Sequence, residues 1–274
     1  MRKTKIQKLL EGLREERTRK FGMEALIVSL DGMPSSGKDT QISFARHELP
    51  KDIPNLKIGV IRESGLLDEE RNSERRLYMA QVYETVVRKN GQEDLDTTLK
   101  LMTAQRAEVG KKLIEMYNGQ EILLLENRSF FSTWAIQLIA RGLRPKEANA
   151  YEILEQILEP ETVIPPHLAI FTICHIPIAM DRARRDYDES KYRNGKKDPD
   201  YFDPYYEVAY KTVHGKGTDD DETRRKWWLK VNWHAYKDIA ETSGGKKVLT
   251  GRNDGKFNHK IEELIKKAHE KIMK

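Results

Sequence analysis

Apolar positions along the chain alternate between two rhythms. Short unbroken runs, ALIVSL (Ala25 to Leu30), KIGVI within NLKIGVIRESG, EILLLE ending at Glu126, HLAIFTI and KKVLT, have the character of buried strands. Between them lie stretches with helical spacing: Glu69 to Arg88, Leu95 to Tyr117, Phe131 to Arg141, Lys146 to Leu158, a basic segment from Ile178, and Phe257 to Met273. Ahead of the first strand, Ile6, Leu9, Leu10 and Leu13 make one apolar stripe on a basic amphipathic helix. Such helices most often pack on the body of a protein and less often touch a membrane or a partner. Strands alternating with helices predict an α/β fold, a three-layer sandwich with a parallel sheet of about five strands flanked by helices. No linker of Pro, Gly and Ser divides the 274 residues. The expected organisation is an N-terminal helix over residues 1–23 and one α/β domain over residues 24–274.

Ligands of parallel sheets sit beyond the carboxyl ends of the strands. That rule gathers Asp31, Arg62, Glu63, Glu126 and Arg128 at one edge. At the same edge GMPSSGKDTQ, Gly32 to Gln41, closes the first strand and opens a helix. It fits a phosphate-binding G-x-x-x-x-G-K loop, a P-loop: Gly32 and Gly37 permit the tight turn, backbone amides around Ser35 and Ser36 face the phosphates, and Lys38 reaches the terminal oxygens. The helix beginning at about Lys38 adds its positive dipole end. Where the pattern has a magnesium-binding Ser or Thr, this chain has Asp39, with a hydroxyl only at Thr40. Magnesium accepts one or two carboxylates, which makes Asp39 and Glu126 the candidate metal ligands. From the loop alone, Asp39→Ser restores the usual chemistry.

Charged residues make up 34% of the chain and the net charge is +5. That balance suits polyanionic small molecules. Basic residues are interleaved with acids except near the N-terminus, so nucleic acid is an unlikely partner. Cys174 is the single cysteine, which excludes an intramolecular disulfide and a cysteine zinc cluster and fits a reducing compartment. The first residues lack the apolar core of a signal peptide, and no apolar run is long enough to span a bilayer. A cytoplasmic location is expected.

Four windows resemble the thymidylate kinases among the P-loop nucleoside monophosphate kinases. GMPSSGKDTQ looks like the family's G-x-D-G-x-G-K-[ST]-T-Q, VIRESG like T-R-E-P-G, LKLMTAQRAE like L-L-F-A-A-D-R-A-E, and NRSFFSTWAIQ like D-R-Y-x-D-S-S-x-A-Y-Q. YKDIA, Tyr236 to Ala240, is similar to Y-L-E-L-A. The resemblance implies ATP and Mg2+ as cofactors, a homodimer, and transfer of the γ-phosphoryl group to a nucleoside monophosphate, most simply dTMP to give dTDP. It implies that Arg62 and Arg128 grip the acceptor phosphate, that Glu63 and Met102 line its site, and that Arg106 and Gln137 approach its base. A basic lid is implied around residues 181–225, with Arg182 and Arg185 covering the transferred group, Arg224 and Arg225 as rivals, and an aromatic insertion at about 188–222. Four positions depart from the pattern. Pro34 replaces an aspartate that contacts the acceptor sugar, Met102 a stacking phenylalanine, Ile136 a tyrosine, and Asn127 the aspartate of the D-R pair.

Two other functional classes fit the same residues. A nucleoside or other small-molecule kinase would keep the donor site and use Glu63 as base for a hydroxyl proton. A non-catalytic nucleotide sensor or nucleic-acid-associated protein would account for the altered loop, the basic first helix and the WWLKVNWHAY segment, whose Trp227, Trp228 and Trp233 offer stacking surfaces. Aromatic residues in a helix more often pack in a core or a subunit interface.

Overall fold

The structure, a computed structural model, describes residues 3–61, 95–183, 220–250 and 256–273. Helix α1 spans Lys5–Lys20, β1 Leu26–Gly32, α2 Lys38–Asp52, β2 Ile58–Ile61, α3 Leu95–Tyr117, β3 Leu123–Asn127, α4 Phe130–Arg141, α5 Ala148–Leu158, β4 Leu168–Cys174, α6 Asp221–Ser243, β5 Lys246–Thr250 and α7 His259–Ile272. Residues 176–183 are also helical. The expected helix over Glu69 to Arg88, the residues Arg62, Glu63 and Arg185, and the insertion from 188 to 219 lie outside the described residues.

Five strands pair in the order β2-β3-β1-β4-β5, every pair parallel. All seven residues of β1 are buried, as a central strand covered on both faces requires. Alternation along the strands sorts their side chains between two layers. Leu26, Val28 and Leu30 of β1 and Leu123 and Leu125 of β3 pack with Ile42, Ala45 and Leu49 of α2 and Ile261 and Ile265 of α7. Ile27 and Leu124 point the other way, toward Val109, Leu113 and Tyr117 of α3. The expected three-layer α/β sandwich is therefore present. Each buried Leu, Ile or Val contributes about 1.5–3 kcal/mol, so the two layers stabilise the sheet from both faces.

Helix α1 packs on the body. Ile6 and Leu10 are buried in the main core and Leu9 and Leu13 are packed against it. Thr4 caps the helix in a reciprocal box with Gln7, and its hydroxyl also donates to the Thr242 carbonyl at 2.6 Å. At the other end the buried Arg17 guanidinium donates to the carbonyls of Leu158 and Val163, both at 2.5 Å. Leu158 is the last residue of α5, whose terminal carbonyl would otherwise lack a partner.

Helix starts follow their caps more closely than the apolar spacing does. The last helix begins at His259 rather than Phe257 because the Asn258 side chain accepts from the Lys260 and Ile261 amides. Helix α5 begins at Ala148, two residues after Lys146, although Glu147 makes no side-chain cap bond to it and accepts instead from the Arg144 amide. Trp228 is buried with Ile136, Ile139 and Ala140, Trp227 packs against the same cluster and Trp233 against the main core, so all three candidate stacking tryptophans serve packing.

Candidate functional site

The phosphate loop is built by close approach and held by hydroxyls. Gly32 ends β1 at φ 147°, where a Cβ would lie 2.1 Å from the Thr172 carbonyl oxygen, so no other residue fits. Ser35 and Gly37 also take positive φ, 54° and 84°. Gly37 precedes α2 with no side-chain cap, which leaves the first amides of α2 to a ligand rather than to the chain. Ser36 Oγ lies 2.8 Å from Thr172 Oγ1, and Thr172 Oγ1 donates to the Asp31 carbonyl at 3.0 Å. A hydroxyl has one hydrogen, so Ser36 is the donor of the first bond. Thr250 Oγ1 donates to the Ser36 carbonyl at 2.7 Å. Two threonines at the ends of neighbouring strands thus brace the middle of the loop. Lys38 is buried, at 3% exposure, at the first position of α2.

The second anchor is Asp31, fully buried at the end of β1. Its carboxylate accepts from the Ser129 amide at 2.9 Å and from the hydroxyls of Ser129 and Ser132, both at 2.7 Å. Tyr236 continues the network by donating to Ser132 Oγ at 3.1 Å. A buried carboxylate is tolerable only when satisfied in this way. The result ties the start of α4 to the start of the phosphate loop. Between them Arg128 adopts φ 67°, a conformation uncommon outside glycine, at the turn from β3 to α4. Sequence reasoning put Asp31 at this edge without a role. Its signal was the pair of serines in NRSFFS, which supply hydroxyls at the spacing of a helix cap and its first turn.

The two carboxylates expected to hold magnesium have separate surroundings. Glu126 shares the face of Leu124, and Asn127 the opposite face, turned toward α2. Glu126 is buried with an oxygen 3.8 Å from Arg106 Nη1. Burial raises its carboxyl to about 8; Arg106 opposes the shift and Asp31 adds to it. Burial thus favours its protonated form, which sets it apart from Asp39 as a partner for a cation. Asp39 is exposed, and the Asn127 amide nitrogen donates to its Oδ1. Partial desolvation disfavours its charge, but Lys38, the Asn127 bond and Arg128 outweigh that and hold its carboxyl below the ordinary range. An ionised, exposed carboxylate on the first turn of α2 fits a magnesium ion beside phosphates.

Around Arg106 the described residues leave buried polar atoms unpaired. Arg106 Nη1 and Thr103 Oγ1 on α3, and Thr133 Oγ1 and both amide atoms of Gln137 on α4, lack hydrogen-bond partners. Gln137 is fully buried. Since such atoms each cost about 1–3 kcal/mol, their concentration on two adjoining helices marks a polar ligand surface. Met102, on the same stretch of α3, is half-buried. Ile136 is buried against Trp228. Arg182 reaches the loop from the helical residues 176–183, its Nη1 donating to the Ser35 carbonyl at 3.1 Å. Among the described residues no group of three or more His, Cys, Asp or Glu forms a ready metal cluster. No described helix is long and apolar enough to cross a membrane.

No family model matches the chain. A curated thymidylate kinase from Kosmotoga olearia is 25% identical over 167 residues, 61% of this chain and 72% of that protein. A crystal structure of thymidylate kinase from Ehrlichia chaffeensis superposes with a TM-score of 0.50 at 14% identity, covering 88% of this chain and 97% of that one. The superposition shows the fold. The two together bear out the resemblance to the thymidylate kinase family, and the curated relative supports nucleotide kinase activity.

Proposed function

We propose that the chain catalyses ATP-dependent phosphoryl transfer to a nucleoside monophosphate, with dTMP as the first acceptor to test. The observation that carries this reading is the lock between the phosphate loop and the Arg128 turn through Asp31. One carboxylate sets the spacing of a donor-phosphate cradle and an arginine. Phosphoryl transfer needs little covalent help from protein, so positioning and charge neutralisation are the main tasks. In this reading Lys38 and the open amides of α2 hold the β- and γ-phosphates of ATP. Arg128, with Arg62, holds the acceptor phosphate through planar forks that match its oxygens. Arg182 and Arg185 close the site over the transferred group.

Asp39 is the residue that would hold magnesium, which when bound neutralises charge on the donor phosphates. Arg106 and Gln137 take the base, consistent with their unpaired buried atoms. The loss of an aromatic stack at Met102 and of a polar sugar contact at Pro34 lowers discrimination for thymine, since stacking alone is worth about 1–3 kcal/mol. A homodimer and a cytoplasmic location complete the reading.

A coupled assay of ADP release with ATP and magnesium, run across nucleoside monophosphates and nucleosides, tests it. Turnover with monophosphates and none with nucleosides is expected. Turnover with nucleosides alone moves the acceptor to a hydroxyl and gives Glu63 the part of base. ATP binding without turnover makes the chain a sensor.

A further inference from the structure

The departures at positions 39 and 127 meet in space. They are 88 residues apart in sequence, yet the Asn127 side chain donates to the Asp39 carboxylate. A carboxylate only accepts, so the amide must turn its nitrogen toward Asp39. Among the described residues its oxygen is left buried and without a hydrogen-bond partner, a costly arrangement that an apolar residue at position 127 would avoid. The family patterns that these windows resemble have a hydroxyl at the first position and a carboxylate at the second. Here the first has the carboxylate and the second an amide able to donate to it. An aspartate at both positions would set two carboxylates at hydrogen-bond distance, where like charges disfavour ionisation. A hydroxyl and an amide would leave the pair without any carboxylate.

We propose that Asp39 and Asn127 form a coupled pair in which the carboxylate serving the nucleotide's magnesium has moved from the end of β3 to the first turn of α2, with Asn127 as its positioning residue. This rests on the reading of the loop as a magnesium–ATP site. The exchange keeps one carboxylate at the site and moves it to the exposed side of the pair, next to Lys38 at the start of α2. It also reverses the expectation from the loop alone: with Asn127 opposite, Asp39→Ser removes the only carboxylate of the pair instead of repairing the loop.

The test is ATP affinity by calorimetry as a function of magnesium concentration, in the wild type, Asp39→Ser, Asn127→Ala and the double variant Asp39→Ser/Asn127→Asp. Thermal unfolding in EDTA checks that each is folded. Asp39→Ser should raise the half-saturating magnesium concentration about tenfold to a hundredfold while leaving metal-free ATP affinity equal or tighter. Asn127→Ala should move it the same way by a smaller factor. The double variant should return to within about threefold of the wild type, because the carboxylate is restored on the other side. If the double variant is no better than Asp39→Ser, or if Asp39→Ser responds to magnesium like the wild type, the pair is not coupled through the metal. Should Asn127→Ala fail to fold, the Asp39→Ser and double variants alone decide the matter. A wild type that binds no ATP overturns the nucleotide reading itself, an outcome distinct from failure of the coupling alone.

Discussion

Glu126→Gln should make the protein more stable at neutral and alkaline pH. The carboxyl is raised from an ordinary 4.5 to about 8, chiefly because burial disfavours its charge. Between those values the native protein holds a proton that the unfolded chain has released, so stability falls as pH rises from about 4.5 and levels off above about 8. The whole displacement corresponds to about 5 kcal/mol, of which about 3 kcal/mol is already lost at pH 7. Glutamine has nearly the shape of the protonated acid and cannot ionise. Any change in its contact with Arg106 enters as a constant offset at every pH. Urea unfolding followed by tryptophan fluorescence, at intervals between about pH 5 and pH 8, reads the difference directly. The gap between variant and wild type should widen by several kcal/mol across that range, and other titrating groups cancel because both proteins carry them. A gap that stays flat would mean that Glu126 is ionised in the fold and paired with Arg106.

Three further outcomes follow from the geometry. Lys38→Ala should leave the fold intact and lower turnover more than a hundredfold, at least about 3 kcal/mol in the transition state, as read by ADP release. Arg128→Lys should lower turnover more than ATP affinity, because a point charge cannot reproduce a bidentate fork; an unchanged rate for every accepted substrate would place the acceptor phosphate elsewhere. Arg17→Met should cost about 3–5 kcal/mol in urea unfolding, since it strips two buried carbonyls of their donor, while KM for ATP remains unchanged.

The sheet, the loop and the described helices other than α6, whose residues Asp221–Ser243 were given no helix from their spacing, were legible because apolar runs and glycines act locally. Leu95–Tyr117 and Lys246–Thr250 fall where the spacing puts them. What the sequence hid depends on contacts between distant segments. Nothing in EILLLENR distinguishes Glu126 from Asn127 as a partner for the loop until alternation along β3 assigns them to opposite layers. The bracing of Ser36 by Thr172 and Thr250 joins residues 136 and 214 positions apart, so no local pattern could carry it. Ile136 read as a lost tyrosine; in the fold it is a packing residue for Trp228, a role visible only once α6 is beside α4.

The seating of α1 has a consequence for the order in which the chain is made. Thr4 bonds to Thr242, and Gln7 lies under Gly244, where an added Cβ would come within 2.7 Å of its amide. Helix α1 leaves the ribosome well before residues 242–244 and therefore waits for them before it can dock completely. At about 5–20 residues per second, that wait lasts on the order of 10–50 s. Throughout it, Ile6 and Leu10 lack the part of their core supplied by Leu229, Tyr236, Ile239 and Ala240, so a nascent-chain chaperone has a long opportunity at α1, and ribosome-stalled chains ending before Thr242 should retain a protease-sensitive α1 that chains extending past Gly244 protect.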